Sequence, residues 1–221
     1  MEEPIAIETS RGIVSGARSG GAGDRAMVVV AHGAGNDMQS PLLVGFTDGL
    51  ADGGVGSLRF NFPYKEHGRR GPDAEPVLRD ALTAAFHVAS ERAGGRPVLA
   101  GGKSLGGRIA SLLVADGMPA DGLVFVGYPF HPPGKPERLR DEHLYAIQVP
   151  MLFLQGTADP FARWDLVERV VKRIGPLATL HPVEGGDHSF RVRGARRPDE
   201  QIGRELAQPA VEFIGALVGG R

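Results

Sequence analysis

The sequence predicts an α/β protein, a mostly parallel twisted sheet with helices on both faces, and three observations predict it. Short Val- and Leu-rich runs recur along the chain, segments of helical length and apolar spacing lie between them, and most runs end in a loop containing Gly or Pro beside a polar residue. Strands alternating with helices over a whole chain form a parallel sheet crossed over on both sides. With 221 residues the chain can bury a substantial core. It reads as one domain over 1–221, since no repeat, low-complexity tract or linker divides it.

In chain order, 5–9 and 12–18 are separated by Ser10-Arg11 and read as an antiparallel hairpin at one sheet edge. The run 26–31 (AMVVVA) is almost purely apolar and suits a strand buried on both faces. Further strands are expected at 56–60, 97–101, 122–126, 151–155 and 178–182, with helices at 41–50, 75–93, 105–115, 161–174 and 198–217. Between 127 and 150 lie Pro129, Pro132, Pro133 and Pro136, which confine helix formation to a short piece near 137–143. A large cap domain is not expected there.

Composition excludes other classes. Hydrophobic residues at 42% and charged residues at 23% argue against disorder and coiled coils. Lys+Arg number 25 against 26 Asp+Glu, so no basic excess exists to neutralise nucleic acid or an anionic membrane surface, and neither partner is expected. The absence of cysteine rules out disulfides, thiolate metal sites and a cysteine nucleophile, and fits a reducing compartment. The opening MEEPIAIETS lacks a basic stretch followed by an apolar one, and no apolar run approaches the ~20 residues of a membrane helix. A cytoplasmic location is the expectation.

In sheets of this kind the reacting groups gather beyond the carboxyl ends of the strands. The loops placed there read HGAGND, NFPY, GGKSLGG, GYPFHPPGKPE, QGTADPF and GGDHSF. Gly102-Lys103-Ser104-Leu105-Gly106 matches G-x-S-x-G, a sharp turn whose glycines let the backbone pass closely and lift the serine hydroxyl above the sheet. A strand-like run precedes it and a helix-like run follows, which is the setting that motif needs; a Gly-rich turn with a capping serine is the plainer alternative.

A serine hydroxyl needs a base to take its proton, and the base needs an acceptor to hold its tautomer. His188, in the loop after the last strand, and Asp159, in the loop after the one before it, supply these in the order Ser, Asp, His. Asp187 adjoins His188, but neighbouring side chains diverge, so Asp159 is the expected orienting carboxylate. A developing oxyanion requires two backbone donors, for which Leu105 and Ala34 fit. His32, Tyr64, Lys103 and His131 lie on the same loops and are candidates for substrate binding. No paired spacing such as H-E-x-x-H appears, so no metal is assigned.

These motifs together resemble the α/β-hydrolase superfamily over nearly the whole chain. More narrowly, AHGAGNDM, RFNFPY, GGKSLGGR, GYPFHPPGKPE, QGTADPF and GGDHSF are similar to those of small predicted hydrolases related to dienelactone hydrolases, a group that includes the hydrolase-like domain of a non-specific-lethal chromatin complex subunit. This chain has Ser104 where dienelactone hydrolases have cysteine, so their substrate does not carry over. The resemblance implies an α/β-hydrolase fold and little about substrate; with the residues above, the expectation is a serine hydrolase without a large cap that cleaves a small ester-like substrate without cofactor. The alternatives are a catalytically silent scaffold for protein binding and a small serine peptidase or thioesterase. The sequence assigns no oligomeric state.

Overall fold

A computed structural model of the protein describes residues 2–220. Eight strands form one sheet: β1 (Glu3–Thr9), β2 (Gly12–Ser19), β3 (Met27–Ala31), β4 (Gly56–Phe60), β5 (Val98–Lys103), β6 (Leu123–Val126), β7 (Met151–Gly156) and β8 (Ala178–Val183). Their spatial order is β1-β2-β4-β3-β5-β6-β7-β8. The first two make the expected hairpin and β2 joins β4 antiparallel; from β4 to β8 all neighbours are parallel.

The helices are α1 (Pro41–Asp52), α2 (Pro63–Glu66), α3 (Glu75–Ala93), α4 (Leu105–Ala115), α5 (Trp164–Ile174) and α6 (Asp199–Gly219). Alternation along β3 sorts the core into two layers. Met27, Val29 and Ala31 face the layer holding α3, α4 and α5, whereas Val28 and Val30 face α1 and α6. Because β3 is covered on both faces it has no polar side to show, which is why it reads AMVVVA. Edge strand β8 keeps no residue fully buried.

Helices α1 and α6 meet backbone to backbone near their first turns. A Cβ on Gly45 would sit 2.0 Å from the Glu200 carbonyl oxygen, and one on Gly203 would sit 2.1 Å from that of Leu42. Nothing larger than glycine fits at either position, and the two N-termini are thereby held side by side at the carboxyl end of the sheet.

Three local differences from the sequence expectation have identifiable causes. The NFPY loop contains the one-turn helix α2, started by Pro63 at its first position. The helix expected from 161 begins at Trp164, because the Phe161 N–H donates to Asp159 Oδ1 at 2.8 Å and the Arg163 N–H to His131 Nε2 at 2.9 Å. The piece expected near 137–143 is a 3₁₀ turn at Glu142–Ala146 instead. Arg140 is tied to the Phe130 carbonyl by its N–H (2.8 Å), which holds the preceding residues out of a helix. No cap domain stands between β6 and β7. No helix among the described residues is long and apolar enough to cross a membrane.

Candidate active site

The turn from β5 into α4 carries Ser104 in a conformation few non-glycine residues adopt, with φ 49° and ψ −109°. Such backbone costs roughly 1–3 kcal/mol and persists only where surroundings over-determine it. They do so here. The Ser104 N–H donates to the Val126 carbonyl (3.2 Å), and both flanking glycines press on β3. A Cβ on Gly102 would come within 2.1 Å of the Ala31 carbonyl oxygen, and one on Gly106 within 2.4 Å of the same atom. The glycines of GGKSLGG are therefore a packing requirement, and the half-exposed serine is the outcome.

His188 reaches this serine from the loop after β8. Its Nε2 lies 2.9 Å from Ser104 Oγ, and its Nδ1 lies 2.7 Å from Asp159 Oδ2. The Asp159 side chain is fully buried, while the His188 side chain is 20% exposed, so the row runs from the interior towards an accessible hydroxyl. Because a carboxylate only accepts, Nδ1 carries the proton and Nε2 is left to accept from Ser104. Asp187 turns elsewhere. Its Oδ1 accepts the N–H groups of Ser189 (2.8 Å) and Arg191 (3.0 Å) and so tightens the histidine loop.

Two residues that sequence reasoning did not single out hold this row. Gln155 Nε2 donates to Asp159 Oδ2 at 2.7 Å, and the Phe161 ring stacks on the His188 imidazole with centroids 4.2 Å apart. Both had a legible signal, an amide ending a buried apolar strand and an aromatic two residues past the acid. Phe190 also has positive φ (63°) and is fully buried beneath the same loop. The histidine loop is thus pinned by strain and packing on both sides of His188.

Leu105 follows Ser104 directly, and Ala34 follows Gly33, whose Cβ position lies 3.7 Å from Ser104 Cβ. Leu105 is the first residue of α4, so its N–H has no partner in the helical ladder, and the Ala34 N–H finds no acceptor among the described residues. The Tyr64 hydroxyl donates to the Ala34 carbonyl (2.9 Å) and fixes this loop from below; burial pushes the phenol's pKa well up.

His32 is fully buried, donating from Nδ1 to the Gly33 carbonyl (2.9 Å) and accepting the Phe62 N–H at Nε2 (3.0 Å). Burial pushes its pKa down to about 4, so it is neutral. His131 is likewise committed, with Nδ1 to the Pro132 carbonyl (2.8 Å) and Nε2 accepting from Arg163. Neither ring has a nitrogen left for a ligand: His32 braces the Ala34 loop, and His131 sets the start of α5 and with it Phe161. Lys103 is buried, and burial pushes its ammonium down to about 8 against the opposing pull of Asp159 and Asp187. Among the described residues no group of three or more His, Asp or Glu is placed to hold a metal ion.

Residues 24–215 match the family model described as an alpha/beta hydrolase domain. Among solved structures the chain is similar to an alpha-beta serine hydrolase homologue from Coxiella burnetii, at 18% identity and TM-score 0.74 over 94% of this chain and 96% of that one. It is similar to an α/β serine hydrolase without lid from Xanthomonas campestris (19%, TM-score 0.76, 96% and 94%). It is also similar to a dienelactone hydrolase from Anabaena variabilis (19%, TM-score 0.76, 98% and 97%). At these identities the likeness is one of fold.

Proposed function

Since the chain belongs to the alpha/beta hydrolase domain family, we propose that it is a cytoplasmic serine hydrolase that cleaves a small, soluble ester through Ser104, His188 and Asp159. The observation that carries the reading is the continuous hydrogen-bonded row, 2.9 Å from Ser104 Oγ to His188 and 2.7 Å from His188 to Asp159. A protein-binding scaffold has no physical need of a strained serine joined to a base and a buried acid.

In the proposed reaction Ser104 Oγ attacks the ester carbonyl while His188 Nε2 takes its proton. The carbonyl π electrons move onto oxygen, where the N–H groups of Leu105 and Ala34 stabilise the charge. Asp159 holds the Nδ1–H tautomer and stabilises the imidazolium. Collapse of the tetrahedral species breaks the C–O bond, and His188 returns its proton to the departing alcohol. Water then repeats the sequence on the acyl-enzyme, giving the acid and free Ser104. With no cap between β6 and β7, the site suits substrates that arrive from solution.

A fluorophosphonate probe followed by intact-mass analysis tests this. One adduct is expected on the native protein and none on Ser104→Ala. Labelling that survives in the variant refutes the assignment, and a folded native protein that is never labelled favours the scaffold.

A further inference from the structure

Lys103 is a buried group that the proposed reaction does not use. The residue is 6% exposed, and its Nζ is buried without a hydrogen-bond partner. Its aromatic neighbour, the Phe190 ring, lies under it with the centroid 5.8 Å away, a cation–π contact that offers no acceptor for its N–H donors. The nearby carboxylates are engaged elsewhere, Asp159 with His188, Gln155 and Phe161, and Asp187 with Ser189 and Arg191. An ammonium carries three donors, and leaving them all unfilled inside a protein is costly unless something else supplies an acceptor.

Lys103 forms part of the wall of a cavity of about 250 Å³, together with Asn36, Ser40, Ser189, Arg191 and Asp199. Lys103 precedes Ser104, Ser189 follows His188, and Asn36 lies two residues beyond Ala34, so this space borders the serine, histidine and Ala34 loops. The first turns of α1 and α6 flank it, held together by the Gly45 and Gly203 contacts. The Leu42 N–H of α1 has no acceptor among the described residues. Asp199 does not cancel the positive character, because both its oxygens accept from Arg191, at 2.9 and 2.7 Å. Asp159 and Asp187 pull on the Lys103 ammonium without bonding to it, and the two helix N-termini add positive character to the cavity wall.

We propose that this cavity is an acyl subsite for short dicarboxylic half-esters, in which the substrate's free carboxylate is paired by the Lys103 ammonium and by the first turn of α1. The proposal rests on the reading of Ser104 as nucleophile. The flexible four-carbon stem of Lys103 lets its ammonium turn from the wall towards an entering carboxylate. At roughly 30 Å³ per water-sized group the cavity holds about eight heavy atoms, the size of a glutaryl group, and a long fatty chain does not fit.

The test compares 4-nitrophenyl monoglutarate with 4-nitrophenyl pentanoate, of equal chain length and without the charge. The native enzyme is expected to favour the glutarate in kcat/KM, and Lys103→Met is expected to lower that ratio by roughly 30-fold or more, as for other buried charge pairs that lose one partner. No preference in the native enzyme, or an unchanged ratio in the variant, overturns the subsite. A second arm needs no turnover: monomethyl glutarate should raise the Tm of Ser104→Ala saturably, and adding Lys103→Met should abolish the shift. Fluorophosphonate labelling of Ser104 without any glutarate preference refutes this subsite alone. Absence of labelling together with a Lys103-dependent Tm shift refutes the nucleophile and leaves the anion site standing.

Discussion

Changing Asp159 to Asn alters one atom in the proposed row, and the surrounding hydrogen bonds determine how the row responds. The new amide must put its NH₂ where one carboxylate oxygen was. At the Oδ1 position it would meet the Phe161 N–H, donor against donor at 2.8 Å. At the Oδ2 position it meets Gln155 and His188, each 2.7 Å away. Gln155 can accommodate that, because its Oε1 is buried and unpartnered and a turn of the amide brings it to face the new NH₂. The arrangement that pairs Phe161, Gln155 Oε1 and the new amide therefore makes His188 accept at Nδ1 and carry its proton on Nε2, towards Ser104. A base protonated on that nitrogen cannot take the serine proton. The loss expected in kcat is ~10⁴, the size seen when a serine protease loses its triad carboxylate, or about 5 kcal/mol in activation free energy. Asp187→Asn keeps an oxygen for Ser189 and Arg191 and should cost less than about tenfold. Steady-state hydrolysis of a 4-nitrophenyl ester by both purified variants decides the matter. Equal losses, or a larger one in Asp187→Asn, would refute the reasoning.

Acidification should destabilise the fold through His32, whose pKa falls from 6.5 to about 4 on burial. The unfolded chain binds the proton first, so the contribution is complete above pH 6.5 and is lost as pH falls towards 4, by roughly 3 kcal/mol at most. Urea titrations between pH 7.5 and 4.5 should show a shallower dependence in His32→Asn, and an identical slope would count against a neutral His32. Gly106→Ala places a Cβ 2.4 Å from the Ala31 carbonyl oxygen. An overpacking cost of about 1–3 kcal/mol outweighs the ~1 kcal/mol that alanine gains in a helix. The Tm should fall, by about 2–4 °C per kcal/mol in a chain of this size, and a raised Tm would contradict the packing argument. Hydrolysis of tributyrin should show no jump in rate across its solubility limit, since no cap stands over Ser104, and strong interfacial activation would rule out the open site.

Much of this protein is written in short stretches of its sequence. Alternating apolar runs and helical segments specify a parallel sheet, because burial on two faces leaves a central strand such as AMVVVA no polar side. The GGKSLGG turn is equally local, since its glycines answer to the carbonyl of a strand that must lie beside it. Chain order alone brings Ser104, Asp159 and His188 to one end of the sheet, as strands running the same way end together.

What each polar side chain does there was decided only by the tertiary structure. His32 and His131 sit on site-facing loops in the sequence, yet their ring nitrogens are taken by backbone groups, two of them some 30 residues away in the chain. Lys103 is one more polar residue on a site-facing loop in the sequence, and only the loops carrying Gly127 and Phe190 bury it. Gln155 and Phe161 gain their roles only when His188 arrives from another strand. Periodicity and glycine sterics act between near neighbours and are therefore legible in sequence. The partner of a titratable side chain is chosen by whichever distant segment packs against it, and that choice exists only in the folded chain.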